Sequence, residues 1–329
     1  MKPALLALFL LTVPRLAAAQ SYTVTDLGDL YPAAINNAGQ VVGGDTLWMN
    51  GRTVRLNGLN ATAINNRGQI VGFRGNGTGS GATEKNVHAF LWQNGKMRDL
   101  GTPRMPSQFY ARGINDQGQV VGDSYRAPLL WQNGRITYFP KLSKDPPYTQ
   151  MPSEASGIND NGWIVGNSSA RNGQLQAVLW QGRRVTVLRG LPGCQASRAN
   201  AINERGQIAG SCDFGWSNER PRNRLSHPVL WQNGRPRDLG RLRGDTGSMA
   251  AALNDAGQVV GTSSNNAQSS LSYRAFLWQS GRMLNLNALI PSRSAWHLDT
   301  ATGINDRGQI VGNGKHNGKP RSFLLTPKL

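Results

Sequence analysis

The chain has 329 residues, of which 36 are Lys or Arg and 18 are Asp or Glu, so its formal charge is +18. Hydrophobic residues make up 38%, with nine Trp, which is enough for a packed core and excludes general disorder. The 40 Gly and the low share of charged residues, 16%, are typical of turns and strands and exclude a helical bundle.

Residues 1–19 have the pattern of a secretory signal peptide. Lys2 precedes an apolar run, and three small residues, 17–19, end the segment. The run is shorter than the ~20 residues that cross a bilayer, so the pattern predicts cleavage before Gln20. Cleavage removes two basic residues and leaves 34 basic against 18 acidic, a net charge of +16. We expect residues 20–329 to be exported to the periplasm, the cell surface or the medium as one repeat domain.

One nine-residue motif recurs through the mature chain. It reads Ile-Asn-x-x-Gly-Gln-(Val/Ile)-Val-Gly with small changes, in seven copies at 35–43, 64–72, 114–122, 158–166, 202–210, 253–261 and 304–312. A second motif, Leu-Trp-x-Asn-Gly or a near variant, follows the first six copies, with Trp at 48, 92, 131, 180, 231 and 278. The copies recur about every 45 residues, which is the length of one four-stranded β-propeller blade.

Each copy contains two turn signals, and each signal predicts a hairpin. In the first motif a Gly at the fourth turn position, such as Gly118, closes a tight turn between apolar residues. In the second motif, pairs such as Asn94-Gly95 lie between alternating runs, as in a two-residue hairpin. Two hairpins give four strands, so the sequence predicts an all-β, seven-bladed β-propeller of four-stranded blades.

The two ends of the repeat region predict how the ring closes. Residues 21–28 resemble the fourth strand of later copies, such as 98–101, and the last copy lacks this strand. We expect the N-terminal strand to complete the seventh blade by pairing beside residues 322–325, which leaves no blade unpaired.

The repeat motifs also resemble those of a known family. The segment 88–101, His-Ala-Phe-Leu-Trp-Gln-Asn-Gly-Lys-Met-Arg-Asp-Leu-Gly, with 113–122 behind it, is similar to the bacterial extracellular HAF repeat family. The resemblance covers essentially the whole mature chain, although only the second copy keeps the His-Ala-Phe triplet. It implies an exported, β-propeller-like repeat protein and brings no established activity.

Long connections are expected on one face of the predicted disc. If the strands run in chain order from the axis outward, both tight hairpins turn on one face, and the remaining connections lie on the other. The latter include 73–86, 140–155 and 211–225. Variable loops on a rigid repeat scaffold are the usual place for binding residues, so we expect the ligand there. The alternative is that these loops are tolerated insertions without a ligand.

Seven Arg lie within residues 219–243. The predicted topology places five on the loop side: Arg220, Arg222, Arg224, Arg241 and Arg243. Guanidinium groups suit phosphate, sulfate and carboxylate. In an exported protein they favour a polyanionic partner such as acidic polysaccharide, lipopolysaccharide or extracellular DNA. The alternative is a basic surface that serves solubility alone.

A different set of basic residues follows the outer turns. These are Arg52, Lys96, Arg135, Arg183, Arg235 and Arg282. A basic residue on an outermost strand prevents the strand edge from pairing with another molecule, so we interpret this set as edge protection.

The Trp residues fall into two groups. The six in the second motif are predicted to pack between blades. Trp216 and Trp296 lie near the predicted loop face, where an indole could stack on a sugar ring, whereas Trp163 replaces a repeat Gln and is predicted to be structural.

The two Cys, Cys194 and Cys212, lie at equal distances before and after Asn203. They are therefore predicted at the open end of the fifth copy's first hairpin, where opposed positions allow a disulfide in an oxidising compartment. A free redox-active pair is the alternative.

Catalytic motifs are absent from the sequence. No HExxH, CxxC pair or supported Ser-His-Asp set occurs, and neither a metal nor a cofactor is predicted. The acids that follow the repeat Asn, such as Asp116, are interpreted as turn residues that bond nearby backbone. Asp123, Asp213, Asp245 and Asp299 are expected near the loop face. The sequence therefore predicts a monomeric, non-catalytic binding or scaffold propeller with a polyanionic or glycan ligand. The alternatives are a carbohydrate-active hydrolase or lyase and a purely structural surface repeat.

Overall fold

The computed structural model describes residues 21–75, 87–101, 108–124, 127–143, 153–215, 225–265 and 272–328. The predicted signal segment, 1–19, lies outside the described residues. Four of the predicted site residues also lie outside them: Trp216, Arg220, Arg222 and Arg224. Within the described ranges, no helix is long and apolar enough to cross a membrane.

In the described residues, 28 strands form seven antiparallel sheets of four strands each. Blade 1 consists of β2 (Ala34–Ile35), β3 (Val41–Gly43), β4 (Thr46–Met49) and β5 (Arg52–Arg55). Blade 2 consists of β6 (Asn60–Ile64), β7 (Ile70–Arg74), β8 (His88–Gln93) and β9 (Lys96–Asp99). Blade 3 consists of β10 (Tyr110–Ile114), β11 (Val120–Ser124), β12 (Ala127–Gln132) and β13 (Arg135–Tyr138). Blade 4 consists of β14 (Glu154–Ile158), β15 (Trp163–Ser169), β16 (Leu175–Gln181) and β17 (Arg184–Val187).

The remaining blades follow the same order. Blade 5 consists of β18 (Ala196–Ile202), β19 (Ile208–Phe214), β20 (Leu225–Gln232) and β21 (Arg235–Asp238). Blade 6 consists of β22 (Gly247–Leu253), β23 (Val259–Asn265), β24 (Ser272–Gln279) and β25 (Arg282–Asn285), followed by a 3-10 helix at Leu286–Ala288. Blade 7 consists of β26 (Trp296–Ile304), β27 (Ile310–His316), β28 (Lys319–Pro327) and β1 (Tyr22–Gly28). The prediction of a seven-bladed, four-stranded β-propeller is confirmed.

The N-terminal strand closes the ring. β1 pairs antiparallel with β28, with Tyr22 opposite Pro327 and Gly28 opposite Ser322. Tyr22 is fully buried among residues of blades 6 and 7, and burial raises the pKa of its hydroxyl to about 12. The predicted pairing beside residues 322–325 is therefore confirmed.

Glycine is required at two positions of the repeat for different physical reasons. Gly118 closes the inner turn of blade 3 with a φ of +76°, which a residue with a side chain adopts only with strain. Gly122 ends the motif on β11, where an added Cβ would lie 1.9 Å from the carbonyl oxygen of Tyr110. The first Gly allows the turn, and the second allows the two strands to approach.

The hydrophobic core lies between neighbouring blades. In one cluster, Val71 and Ala89 of blade 2 pack with Phe109, Leu129 and Trp131 of blade 3. Five of the six repeat Trp are buried, as predicted, and Trp48 is partly buried against the cluster between blades 7 and 1. Each blade therefore stabilises the next, and the ring holds its two faces at fixed positions.

Antiparallel pairing in chain order defines two faces. The turn face carries the inner turns, between the first and second strands of each blade, and the outer turns, between the third and fourth. The loop face carries the connections between the second and third strands and those between blades. In blade 7 the connection on the loop face is itself a tight turn at Asn317-Gly318.

Candidate functional site

The seven inner turns meet around the propeller axis and form a closed ring of asparagine side chains. Each repeat Asn is buried, and its Nδ2 donates to the backbone oxygen of the corresponding Asn in the next blade. The N···O distances, from Asn36 through Asn65, Asn115, Asn159, Asn203, Asn254 and Asn305 back to Asn36, are 3.0, 2.9, 3.0, 3.1, 3.0, 3.0 and 2.9 Å. The ring therefore adds hydrogen bonds between neighbouring blades to their hydrophobic packing.

A second ring lies at the next position of each turn. There the side-chain oxygen of every residue accepts the backbone N–H of its counterpart in the preceding blade: Asn37, Asn66, Asp116, Asp160, Glu204, Asp255 and Asp306. For example, Asp116 N–H donates to Asp160 Oδ1 at 2.8 Å. The sequence interpretation assigned these acids to bonds within their own turn. The structure corrects it, because the preceding Asn already accepts the N–H groups of the turn.

The rings surround an axial cavity of about 250 Å³ on the turn face. The repeat Ile or Leu residues line it together with the two polar rings. Five of the seven residues at the second position are acids, and each carboxylate already accepts a backbone N–H. Among the described residues, no group of three or more His, Cys, Asp and Glu is placed to hold a metal ion.

Glu204 is the one Glu in the second ring. Burial raises the pKa of its carboxyl group, and the charges of Asp160, Asp255 and Asp116 add to the shift. The N–H of Asp160, which donates to Glu204 Oε2 at 3.0 Å, opposes it. The carboxylates at the axis therefore repel one another, and the backbone N–H groups offset part of that repulsion.

The structure places the described members of the Arg set on the loop face, as the sequence predicts. Arg241 and Arg243 are exposed in the connection between blades 5 and 6. Arg241 Nη1 lies 3.1 Å from His227 Nε2, and the Arg243 carbonyl oxygen accepts from Arg274 Nη2 at 2.8 Å. Both guanidinium groups remain open to solvent.

Trp296 begins β26 at the loop face but does not present a free ring. Its indole stacks on His316 at a centroid distance of 4.7 Å with an interplanar angle of 3°, and it forms a T-shaped contact with Phe323. One face of the indole is therefore covered, which leaves only the opposite face for a sugar. Trp216 lies outside the described residues.

Three buried carboxylates at the loop-face ends of their blades each face one Arg. Asp123 pairs with Arg112 at 3.0 Å, and Arg274 pairs with Asp245 at 2.7 Å. Asp213 faces Arg198 at 2.5 Å and also accepts from the Ser226 hydroxyl. The sequence expected these three acids near the loop face, and the structure places them there as internal ion pairs.

Asp123 is the most perturbed of these acids. Burial raises the pKa of its carboxyl group to about 6, the Arg112 guanidinium opposes the shift, and Glu154 adds to it. At Arg112 burial lowers the pKa, but the charges of Asp123 and Glu154 and the hydrogen bond to Asp123 together raise it by more. Glu154 also accepts from Asn167 Nδ2 at 2.7 Å, and Asn167 Oδ1 is buried without a partner among the described residues.

The two Cys are bonded in blade 5. Cys212 lies on β19, Cys194 lies just before β18, and their Cα atoms are 5.5 Å apart. The disulfide predicted from the sequence is confirmed. The bond links Cys194, in the connection that leads from blade 4 into blade 5, with Cys212 on the second strand of blade 5. It therefore anchors one side of the loop face.

No model of a known protein family matches the chain, and no curated protein matches it. Among solved structures, the chain is similar to the β-propeller domain of the trilobed protease from Pyrococcus furiosus. The TM-score is 0.55 at 12% identity, covering 94% of this chain and 97% of that chain. That domain has an open velcro topology, whereas β1 pairs with β28 here.

Two further similarities are weaker. A gluconolactonase from Xanthomonas campestris matches with a TM-score of 0.44 at 10% identity, over 94% of this chain and 92% of that one. A sialidase from Trypanosoma rangeli matches with a TM-score of 0.45 at 11% identity, over 93% and 59%. At such identities the likeness concerns the fold alone and favours neither an enzymatic nor a binding role.

Proposed function

We propose that this protein is an exported, non-catalytic binding or scaffold propeller whose ligand is a polyanion or an acidic glycan. The main observation in support of the proposal is that the described acidic residues already have partners within the fold. Of 18 acids, Glu84, Asp145 and Glu219 lie outside the described ranges, and all 15 others are engaged within the fold. The basic residues are in excess, so the charge that remains for a ligand is positive.

The 15 acids have four kinds of partner. Five accept backbone N–H groups in the second ring, and Asp45 accepts the backbone N–H groups of Leu56 and Gly58. Three form the buried Arg pairs, and Glu154 and Asp29 contact Arg112 and Arg321. Four face the four His: Asp26, Asp99, Asp238 and Asp299. An acid that already has an internal partner is a poor candidate for substrate chemistry, which favours a binding role over a hydrolase or lyase.

The ligand surface in this proposal is the Arg set predicted from the sequence: Arg220, Arg222, Arg224, Arg241 and Arg243. Of these, Arg241 and Arg243 lie within the described residues, on the loop face. The exposed guanidinium groups of Arg241 and Arg243 support it, because each can form paired hydrogen bonds with phosphate or sulfate. The open side of Trp296 offers a stacking surface if the polyanion is a glycan.

We also propose that the protein belongs to the HAF repeat family and is exported. The seven repeat motifs and the cystine support this, since disulfides persist in oxidising compartments. Mass spectrometry of the protein recovered outside the cytoplasm should find Gln20 at the N-terminus. A cytoplasmic protein that keeps Met1 would contradict it.

The binding proposal is tested by changing the Arg set. In the loop variant, Arg220, Arg222, Arg224, Arg241 and Arg243 become Gln. In a matched control, the rim variant, five exposed cations of the turn face become Gln: Arg52, Lys96, Arg135, Arg235 and Arg282. Affinity for double-stranded DNA and for heparin is measured across a salt series.

We expect only the loop variant to bind these soluble polyanions more weakly. The slope of log K against log salt on DNA should become shallower by about 0.9 for each phosphate that the variant no longer neutralises. An unchanged slope in the loop variant would contradict the proposal. So would an equal weakening in both variants, because net charge alone would then explain the binding.

A further inference from the structure

The turn face carries one basic residue in each blade at its outer edge. In blades 1 to 6 this residue begins the outermost strand, directly after the outer turn: Arg52, Lys96, Arg135, Arg184, Arg235 and Arg282. The sequence predicts Arg183 at this position of blade 4, but Arg183 lies in the turn itself, and Arg184 begins the strand. Lys328 lies at the corresponding corner of blade 7, where its N–H donates to the Ser21 carbonyl oxygen at 2.8 Å. We call these seven residues the basic rim. All are exposed, and none forms a salt bridge with another described residue.

The turn face is also built from short turns only. The inner turns share one hydrogen-bond pattern, in which the Gly N–H donates to the repeat Asn carbonyl oxygen, as from Gly118 to Asn115 at 3.0 Å. The outer turns are two residues long, such as Asn94-Gly95. Within the described ranges, therefore, no long connection lies in front of the rim.

The charges of this face are arranged concentrically. The five second-ring carboxylates lie near the axis, where each accepts a backbone N–H. Three exposed Arg of the inner turns, Arg67, Arg205 and Arg307, offset part of that negative charge, and the seven rim cations lie at the circumference. A linear polyanion would meet only an arc of the rim, and to reach the other side it would have to cross a centre in which five acids outnumber three Arg. A planar anionic layer can meet all seven cations at once.

We propose that the basic rim docks the turn face on an anionic lipid headgroup layer. Each Lys or Arg near such a surface strengthens binding by about 1 kcal/mol, or roughly fivefold, at physiological ionic strength. No single rim residue would hold the protein on the layer, but five or more acting together would. This surface is separate from the Arg set on the loop face, so either proposal can fail without the other.

The two faces are far enough apart to be tested separately. β18, of seven residues, extends about 20 Å from loop face to turn face at ~3.3 Å per residue. That is about twice the Debye length at 0.1 M salt, so charges on the loop face are largely screened from a layer that touches the turn face.

The experiment measures sedimentation of the protein with lipid vesicles. Vesicles of phosphatidylglycerol mixed with phosphatidylcholine are compared with phosphatidylcholine alone, for the unchanged protein, the rim variant and the loop variant. We expect the unchanged protein and the loop variant to bind the anionic vesicles similarly. The rim variant should bind at least a hundredfold more weakly, because five cations are removed. A variant with Arg52→Lys, Arg135→Lys, Arg235→Lys and Arg282→Lys should retain binding, because the charges remain.

Three results would overturn the inference. The unchanged protein could fail to prefer anionic vesicles, or the loop and rim variants could bind equally weakly. The rim variant could also bind vesicles normally yet self-associate in sedimentation velocity, which would leave edge protection as the sole role of the rim. Equal melting temperatures of the unchanged protein and the rim variant confirm that weaker binding does not reflect unfolding.

Discussion

Replacing Asn115 by Ala removes four hydrogen bonds, one of the asparagine ring and three within its own turn. Its Nδ2 donates to Asn159 O at 3.0 Å and to Gln119 Oε1 at 2.7 Å, and its Oδ1 accepts the N–H groups of Gln117 and Gln119 at 3.2 and 2.9 Å. The side chain is 4% exposed, so water cannot replace these partners without rearrangement. At about 1 kcal/mol for each bond, we expect the free energy of unfolding to fall by about 4 kcal/mol.

The sequence supplies an internal comparison for this estimate. In blade 4 the repeat Gln is replaced by Trp163, and Asn159 forms two such bonds, to Asn203 O and from the Trp163 N–H. Asn159→Ala should therefore cost about 2 kcal/mol, half the cost at Asn115. Gln117→Ala, an exposed position in the same turn as Asn115, should cost under about 1 kcal/mol.

Urea unfolding of the three variants, followed by Trp fluorescence, measures these differences. The reasoning fails if Asn115→Ala costs no more than Gln117→Ala, because the ring would then contribute nothing to stability. Equal costs at Asn115 and Asn159 would show that packing around the axis, rather than the number of hydrogen bonds, sets the cost.

Three further predictions concern closure, the disulfide and pH. Deleting residues 20–29 removes β1, so the melting temperature of the whole propeller should fall in one cooperative transition; an unchanged melting temperature would show that β1 does not close the ring. Replacing Cys194 and Cys212 by Ser should lower stability in urea by about 3 kcal/mol, which reduction of the unchanged protein should reproduce. Asp123 has a folded pKa of about 6 against an ordinary value of 3.8, so the folded state holds a proton that the unfolded state releases. Stability should fall by about 3 kcal/mol as pH rises from about 4 to 6, and Asp123→Asn should flatten that slope.

The fold was predictable from the sequence because its signals are local and repeated. The turn at Gly118 and the pair Asn94-Gly95 each specify a hairpin within a few residues. Seven copies of the same pattern then specify the number of blades. Even the closure by β1, a contact between distant parts of the chain, was readable, because residues 21–28 match a strand that the last copy lacks.

The candidate site was only partly predictable. The exposed positions of Arg241 and Arg243 and the Cys194–Cys212 bond follow from where the repeat places them. The stacking of His316 on Trp296 could not be predicted, since no sequence motif indicates which aromatic rings contact each other. The sequence does contain a signal for the second ring, but the interpretation of its acids as turn residues did not use it. In all seven copies the residue after the repeat Asn bears a side-chain acceptor.

The sequence by itself determined the strands, the turns, the count of seven blades and the strand that joins the two ends, because each depends on residues close in the chain or on a repeated pattern. The tertiary structure alone decided which partner each polar group takes. Asp116 bonds Asn66 and not its own turn, because the fold brings corresponding positions of neighbouring blades together. Arg112 reaches Asp123 within its own hairpin and Glu154 in the next blade. The tertiary structure also gathered the five second-ring acids near the axis and placed the seven rim cations at the circumference, an arrangement that is defined only once the blades surround a common centre.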